Sequence, residues 1–398
     1  MLDRCGAWIP AGPSDRRTAL AAAGAVLAGA AVLAPAAGAS PAPSASASPA
    51  GSSGAGPVIG GAQLAGRGVI VNYPPGRVPR LPGIKASAWV IADAGTGQVL
   101  AARDPHGRYR PASTLKVLTA ISLIPVLNPD ATVVATKQAT TVEPNLVGLQ
   151  RGQAYKVSDL FTALLTISAN DAAMALVQAA GSVGKGMAVI NAEARHLQAD
   201  DTVAVTPNGL DAPGQRSSAY DLALFARQGL QMPAFMKYDQ TTGGLFRISK
   251  KKSVGLWNQN TLLATYPGAI GGKIGWTNAA GATYVGMARR HGVTLIVSLL
   301  HCPALTEINA AKSLLNWGFA VDGKVTPVGT LVGPRQPPRA APSASGRGDA
   351  VTGASRSRAA GSAPSALAAA AFSGVALVAA GVGFAYSRRR RPEARRRP

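Results

Sequence analysis

The sequence predicts an α+β fold, and three observations carry that expectation. Segments with strand character lie at both ends of the folded region. Helix-like segments fill the middle. The strands are joined by tight turns, which suits antiparallel pairing with a helical layer packed on it. Composition sets the limits of that region. Of 398 residues, 47% are hydrophobic and only 5% aromatic. Both ends are rich in Ala, Ser, Pro and Gly, and 40–83 reads as Pro/Ser/Gly-rich flexible linker. The stretch 84–332 remains, long enough for one sizeable core.

Residues 87–92 and 98–102 flank Asp93-Ala94-Gly95-Thr96-Gly97, a strand–turn–strand pattern. From 113 to 124 apolar residues occupy most of the helix circumference and Pro125 halts it, so this helix should be buried. Ser158 reads as the N-cap of a helix to Thr166. A second helix runs from about Asp171 to Ala180 and stops at Gly181. Another starts at Ser217-Ser218 and reaches about Gln228. Three strands are expected at 269–277, 282–289 and 293–300, the last two joined across His291-Gly292. A closing helix covers about 307–317.

The two ends give an address. Arg16-Arg17, an apolar stretch to Pro35 and the small residues Ala37-Gly38-Ala39 read as a signal peptide over 1–39, with an uncleaved anchor as the alternative. A further linker covers 333–364. Residues 365–386 form an uncharged run of about 33 Å as a helix, a candidate transmembrane helix, followed by the basic tail 387–398. Arginines stay on the cytoplasmic side, so the domain is expected outside a single-pass membrane anchor.

The net charge of +22 must be located before it is interpreted. Seven Arg against one Glu in 388–398 supply +6 of it, and 41–341 carries a net +13 without a nucleic-acid-binding motif. The balance suits an anionic membrane or wall, and no nucleic-acid partner is expected. Two cysteines exclude a disulfide scaffold or Cys-rich zinc site; Cys5 leaves with the signal, and Cys302 is expected to be buried. The four histidines (106, 196, 291, 301) lack metal-ligand spacing, and no metal or cofactor is expected.

Ser113-Thr114-Leu115-Lys116 is the first chemical candidate. Positions i and i+3 share a helix face, so the Lys amine can reach the Ser oxygen and, with its pKa lowered by burial, take its proton. The spacing is cheap, since Ser182/Lys185 and Ser249/Lys252 also match. The first of these contains a helix-breaking Gly and the second is a solvated charge run. Only Ser113 opens a buried apolar helix, where a lysine is normally unwelcome. Ser168-Ala169-Asn170 falls at a break between helices, where either polar residue could be a cap. Lys273-Ile274-Gly275 lies on an apparent strand, where a lysine is usually a solvated edge residue.

The order Ser-x-x-Lys, Ser-x-Asn, Lys-x-Gly resembles the signature of penicillin-recognising serine enzymes. Asp93-Ala94-Gly95-Thr96-Gly97, Arg110-Pro111-Ala112-Ser113-Thr114, Asn208-Gly209-Leu210-Asp211 and Trp317-Gly318-Phe319 narrow the likeness to low-molecular-mass D-alanyl-D-alanine carboxypeptidases, over about 84–320. The resemblance implies a β-lactamase/transpeptidase-like fold with a five-stranded antiparallel sheet. It implies that Ser113 attacks the penultimate D-Ala carbonyl of a peptidoglycan stem peptide, with Lys116 as general base and Ser168 relaying a proton to the departing D-Ala. It further implies that Asn170 holds the substrate amide, that Lys273 sets the field near Ser168 and the terminal carboxylate, and that the N–H groups of Ser113 and Trp276 form an oxyanion hole beside Gly275. β-Lactam antibiotics would acylate the same serine.

One departure stands out. The third motif of that family has Thr or Ser where this chain has Ile274, and Thr277 lies too far along the strand to replace it. A weakened or retuned enzyme is expected, with the acylating pair intact. Alternatives are a D,D-endopeptidase, a non-catalytic muropeptide- or penicillin-binding module, and a β-lactamase. The last lacks a suitable deacylating Glu, because Glu193 is the only one between Ser168 and Lys273. A Ser-His-Asp hydrolase is disfavoured by the absence of a Gly-x-Ser-x-Gly elbow. Asn258-Gln259-Asn260 either lines the groove or turns the chain.

Overall fold

Successive side chains on a strand point to opposite faces, and the first long strand uses both. In β1 (Ala88–Asp93) every residue is buried. Ala88, Val90 and Ala92 enter one hydrophobic core, while Trp89 and Ile91 enter another. A strand buried on both faces must lie inside a sheet covered by helices on each side. The computed structural model, which describes residues 58–336, shows that arrangement. With β2 (Gln98–Arg103), β3 (Ala269–Thr277), β4 (Gly281–Arg290) and β5 (Val293–Cys302), the long strands run in the order β2–β1–β5–β4–β3, all antiparallel.

The expected count of five is therefore correct for the long strands but not for the whole sheet. Two short strands, Val69–Ile70 and Gly329–Thr330, pair with β2 and make it seven-stranded. This also corrects the linker boundary. Composition alone marks 58–83 as tether, yet these residues carry apolar anchors. Leu64 is buried, Thr330 N–H donates to Gly60 O, and Trp317 Nε1 donates to Pro79 O at 3.0 Å. At the other boundary, 333–336 also packs on the domain, with Arg335 ion-paired to Asp200 at 2.9 Å. The signal peptide (1–39), the linker portions 40–57 and 337–364, the membrane segment (365–386) and the tail (387–398) lie outside the described residues. Among the described residues, no single helix is long and apolar enough to cross a membrane.

Helices α1 (Lys116–Leu123), α2 (Val157–Thr166), α3 (Asn170–Ala179), α4 (Val183–His196), α5 (Ala219–Leu230) and α6 (Pro233–Asp239) gather on one side of the sheet, and α7 (Glu307–Val321) covers the other. All eight residues of α1 are buried. Its hydroxyls are satisfied: Thr119 Oγ1 donates to Pro207 O in a distant loop, and Ser122 Oγ to Leu118 O one turn back. The turn before it, Ala112–Leu115, is 3-10 rather than α.

Two helix readings needed revision. Ser158 is not the N-cap of α2, because the strand Ala154–Lys156 runs directly into the helix and Lys156 takes the cap position. Gly184, expected to break a helix at 182–185, instead lies in the first turn of α4, whose N-cap is Ser182. Gly186 lets α4 approach α3, since a Cβ there would sit 2.6 Å from Val177 O. The Lys250–Lys252 charge run is the turn of an unforeseen hairpin, Gly243–Ser249 with Lys252–Trp257.

Candidate active site

Ser113 sits in the 3-10 turn that leads into α1, so its side chain lies one turn from that of Lys116. The turn is held from three directions. Ala112 before it has φ 47°, an unfavourable value for a residue with a Cβ. Thr114 Oγ1 and Thr283 Oγ1, the latter from β4, both donate to Pro111 O. Gly275 on β3 presses against the turn so closely that a Cβ there would meet Ser113 N at 2.7 Å. Only glycine allows the edge strand this approach.

Lys116 is fully buried. Its Nζ lies 2.9 Å from Ser113 Oγ, 2.7 Å from Asn170 Oδ1 and 2.7 Å from Asn208 O. Burial, reinforced by the nearby charge of Lys273, holds its pKa well below the ordinary lysine value. Neutral lysine has two N–H bonds and one lone pair. The two carbonyl-type acceptors match the two N–H bonds, which leaves the lone pair for the Ser113 hydroxyl. The other two Ser/Lys spacings are structural: Ser182 Oγ caps α4 by accepting from Lys185 N–H, and Ser249 pairs with Lys252 at the hairpin turn.

Ser168 occupies a left-handed position (φ 63°) between α2 and α3. Its buried hydroxyl has no partner among the described residues. Asn170 opens α3; besides accepting from Lys116, its Nδ2 donates to Glu143 O at 2.9 Å. The segment behind it is tied down by Asp171, whose carboxylate accepts from the N–H groups of Val147, Gly148 and Leu149. Lys273 is buried, donates to Ile274 O at 2.8 Å, and is pushed by burial down to about 7 against the opposing pull of Asp239. Asp239 at the end of α6 accepts from Gly272 N–H at 2.7 Å; burial pushes its carboxyl up to about 7.

These elements enclose a cleft of about 530 Å³ lined by Ser113, Ser168, Asn170, Ile274, Gly275 and Trp276, among others. Lys116 and Lys273 lie beneath it. All seven residues singled out from sequence are thus brought to one place, although Lys273 spends a hydrogen bond on its own strand. The 258–260 cluster does both things expected of it: Gln259 lines the cleft, while Asn258 and Asn260 side chains bond backbone groups of the turn. His106 is held between Asp201 and Ile59 O. Cys302 is buried. Among the described residues no three His, Cys, Asp or Glu side chains converge as a metal site.

Sequence reasoning missed the Asn208 carbonyl, the Asp171 clamp and Asp239. Backbone acceptors leave no mark in side-chain spacing. In sequence Asn208-Gly209 carries only a likeness and Asp171 only a helix start, and neither says which groups it will hold.

A serine activated by a buried lysine, a second serine on the facing loop and a lysine-bearing edge strand define a penicillin-recognising serine hydrolase. Known proteins agree. Residues 76–303 match the family model described as D-alanyl-D-alanine carboxypeptidase, and the chain belongs to that family, peptidase S11. The D-alanyl-D-alanine carboxypeptidase DacB2 of Mycobacterium tuberculosis is 39% identical over 264 residues, covering 65% of this chain and 90% of the relative. DacD of Escherichia coli is 31% identical, with 60% of this chain and 64% of the relative covered. Among solved structures, a D-alanyl-D-alanine carboxypeptidase from M. tuberculosis superposes with a TM-score of 0.62 at 39% identity, over 65% of this chain and 99% of that one. The Streptomyces K15 DD-transpeptidase gives 0.57 at 26%, over 61% and 100%. The chain is a serine-type enzyme of this carboxypeptidase class.

Proposed function

We propose that this chain removes the terminal D-alanine from peptidoglycan stem peptides through an ester on Ser113. The observation that carries this reading is the triple engagement of Lys116 Nζ. Neutral Lys116 takes the Ser113 proton while its N–H bonds stay fixed on Asn170 and Asn208. Ser113 Oγ attacks the D-Ala carbonyl, and the developing oxyanion is received by the N–H groups of Ser113 and Trp276, at roughly 3–4 kcal/mol per donor in related chemistry. Ser168, unpartnered among the described residues, passes a proton to the departing amine. Lys273 and Asn170 shape the field and the position of the substrate, and water resolves the ester. Penicillins acylate the same oxygen.

The enzyme acts on the outer face of a membrane, exported by 1–39 and tethered by 365–386; protease accessibility of the domain in intact cells tests that placement. Ile274 favours a second outcome at the same site, a slow enzyme that still traps penicillin. Incubating the full chain with a stem pentapeptide separates the readings. Release of one D-Ala, lost in Ser113→Ala, supports the hydrolase; penicillin acylation without any release supports the trapping module.

A further inference from the structure

The chemistry of the cleft wall beyond Ser113 differs from what a free carboxylate requires. No Lys, Arg or His side chain lines the cleft among the described residues. The two lysine amines beneath it direct their N–H groups to internal acceptors: Lys116 to Asn170 and Asn208, Lys273 to Ile274 O. At the Ile274 end, where the family's hydroxyl would face the terminal carboxylate, the lining is Ile274, Ala282, Ala304, Leu305 and Glu307. Leu305 is 90% exposed at the rim, held at φ 61°.

Glu307 is the single carboxyl in that lining. It is only 9% exposed, and its Oε2 has no partner among the described residues. Its place at the Ile274 end follows from register. Ile274 pairs with Tyr284, Ala282 of the cleft lining pairs with Cys302, and Glu307 opens α7 just beyond Cys302. A negative charge on the departing residue would therefore meet apolar surface and the unpaired Glu307 carboxyl, whose pKa burial raises and whose ionised form repels an anion. A neutral amide or an ammonium group there meets no such penalty.

We propose that Ile274, Leu305 and Glu307 form a leaving-group subsite that selects against a free α-carboxylate, so that the preferred substrates release an amine whose carboxyl is amidated or that belongs to a side chain, as in a cross-bridge. This rests on the Ser113 acyl-enzyme reading: terminal D-alanine still leaves, slowly, and the leaving groups without a free α-carboxylate leave faster. The same C–N bond breaks, the Ser113 Oγ–acyl bond forms, the serine proton ends on the departing amine, and water releases the acid.

The test uses the full chain and three peptides with one acyl half ending in D-Ala, joined to D-alanine, to D-alaninamide, or to the Nε of lysine amide. The second and third arms distinguish an amidated terminus from a cross-bridge amine. The subsite predicts that kcat/KM for at least one of these two exceeds that for the free acid by about tenfold or more. Leu305→Arg, a change at an exposed rim position, should raise free-acid turnover by a similar factor. Glu307→Gln should move the ratio in the same direction. Equal or better cleavage of the free acid by the unaltered chain overturns the subsite while leaving the acyl-enzyme intact, as does a Leu305→Arg ratio that does not move. Failure on all three peptides also overturns the subsite; if no penicillin adduct forms either, the acyl-enzyme reading falls with it.

Discussion

Gly209 and Ala112 touch so closely that a Cβ at 209 would sit 1.9 Å from the Ala112 carbonyl oxygen and 3.1 Å from Ser113 N. The loop that supplies the Asn208 acceptor to Lys116 is thereby pressed onto the turn that carries the nucleophile. Gly209 itself has φ +83°, so a side chain there is strained even before the clash.

Gly209→Ala should therefore cost about 1–3 kcal/mol of stability and pull Asn208 O away from Lys116. Thermal unfolding reads the first effect. Fluorescent-penicillin acylation reads the second, and a slowing of more than about tenfold is expected. Acylation at the unaltered rate would show that the Asn208 carbonyl is dispensable.

Asp171 holds three backbone N–H groups of 147–149, and the same stretch of chain supplies Glu143 O to Asn170. Asp171→Ala leaves those donors unpaired. A loss of about 3 kcal/mol or more is expected in denaturant unfolding, together with slower acylation. Asp171→Asn keeps one acceptor and should fall between the two.

Much of this arrangement could be read from sequence, for definable reasons. The five long strands carry alternating or doubly buried apolar patterns, and the Ser113 helix is apolar all round, so periodicity located them. Ser113, Lys116, Ser168 and Lys273 stood out because their order along the chain is informative even where each spacing alone is not. What stayed hidden depends on tertiary contact. Gly184 reads locally as a breaker, yet it lies inside α4, whose packing on α3 is made possible by Gly186. The Gly and Pro content of 58–83 reads as linker, although Leu64 and Ile70 anchor the segment. Glu307 read as an ordinary first-turn helix residue, since nothing local shows that it faces the cleft.

Ile274→Thr restores a hydroxyl on the cleft wall. Turnover of a D-Ala-D-Ala peptide should rise by about 10- to 150-fold, the worth of one hydrogen bond to a charged group. Release of D-alanine measures it, and a fall would mean that Ile274 does not occupy the carboxylate position.

The buried lysine of β3 makes a pH prediction. Lys273 titrates near 7 when folded and near its ordinary value of 10.5 when unfolded. Between those values the unfolded chain binds more protons, so this lysine makes stability rise with pH, by at most about 1.4 kcal/mol per unit. Below 7 the raised carboxyls of Asp221 and Asp239 act oppositely, since there the folded chain binds the extra protons. Unfolding at pH 7.5 and 9.5 should give Lys273→Met a flatter slope than the parent chain. An unchanged slope would contradict burial of a titrating lysine.

The acylating pair is tested most directly by intact-protein and peptide mass spectrometry after the full chain meets a penicillin. One adduct is expected, on the peptide containing Ser113, formed rapidly in the parent chain and essentially absent in a folded Lys116→Met variant. An adduct on any other residue, or acylation of Lys116→Met at the parent rate, would contradict the pairing of this amine with this hydroxyl.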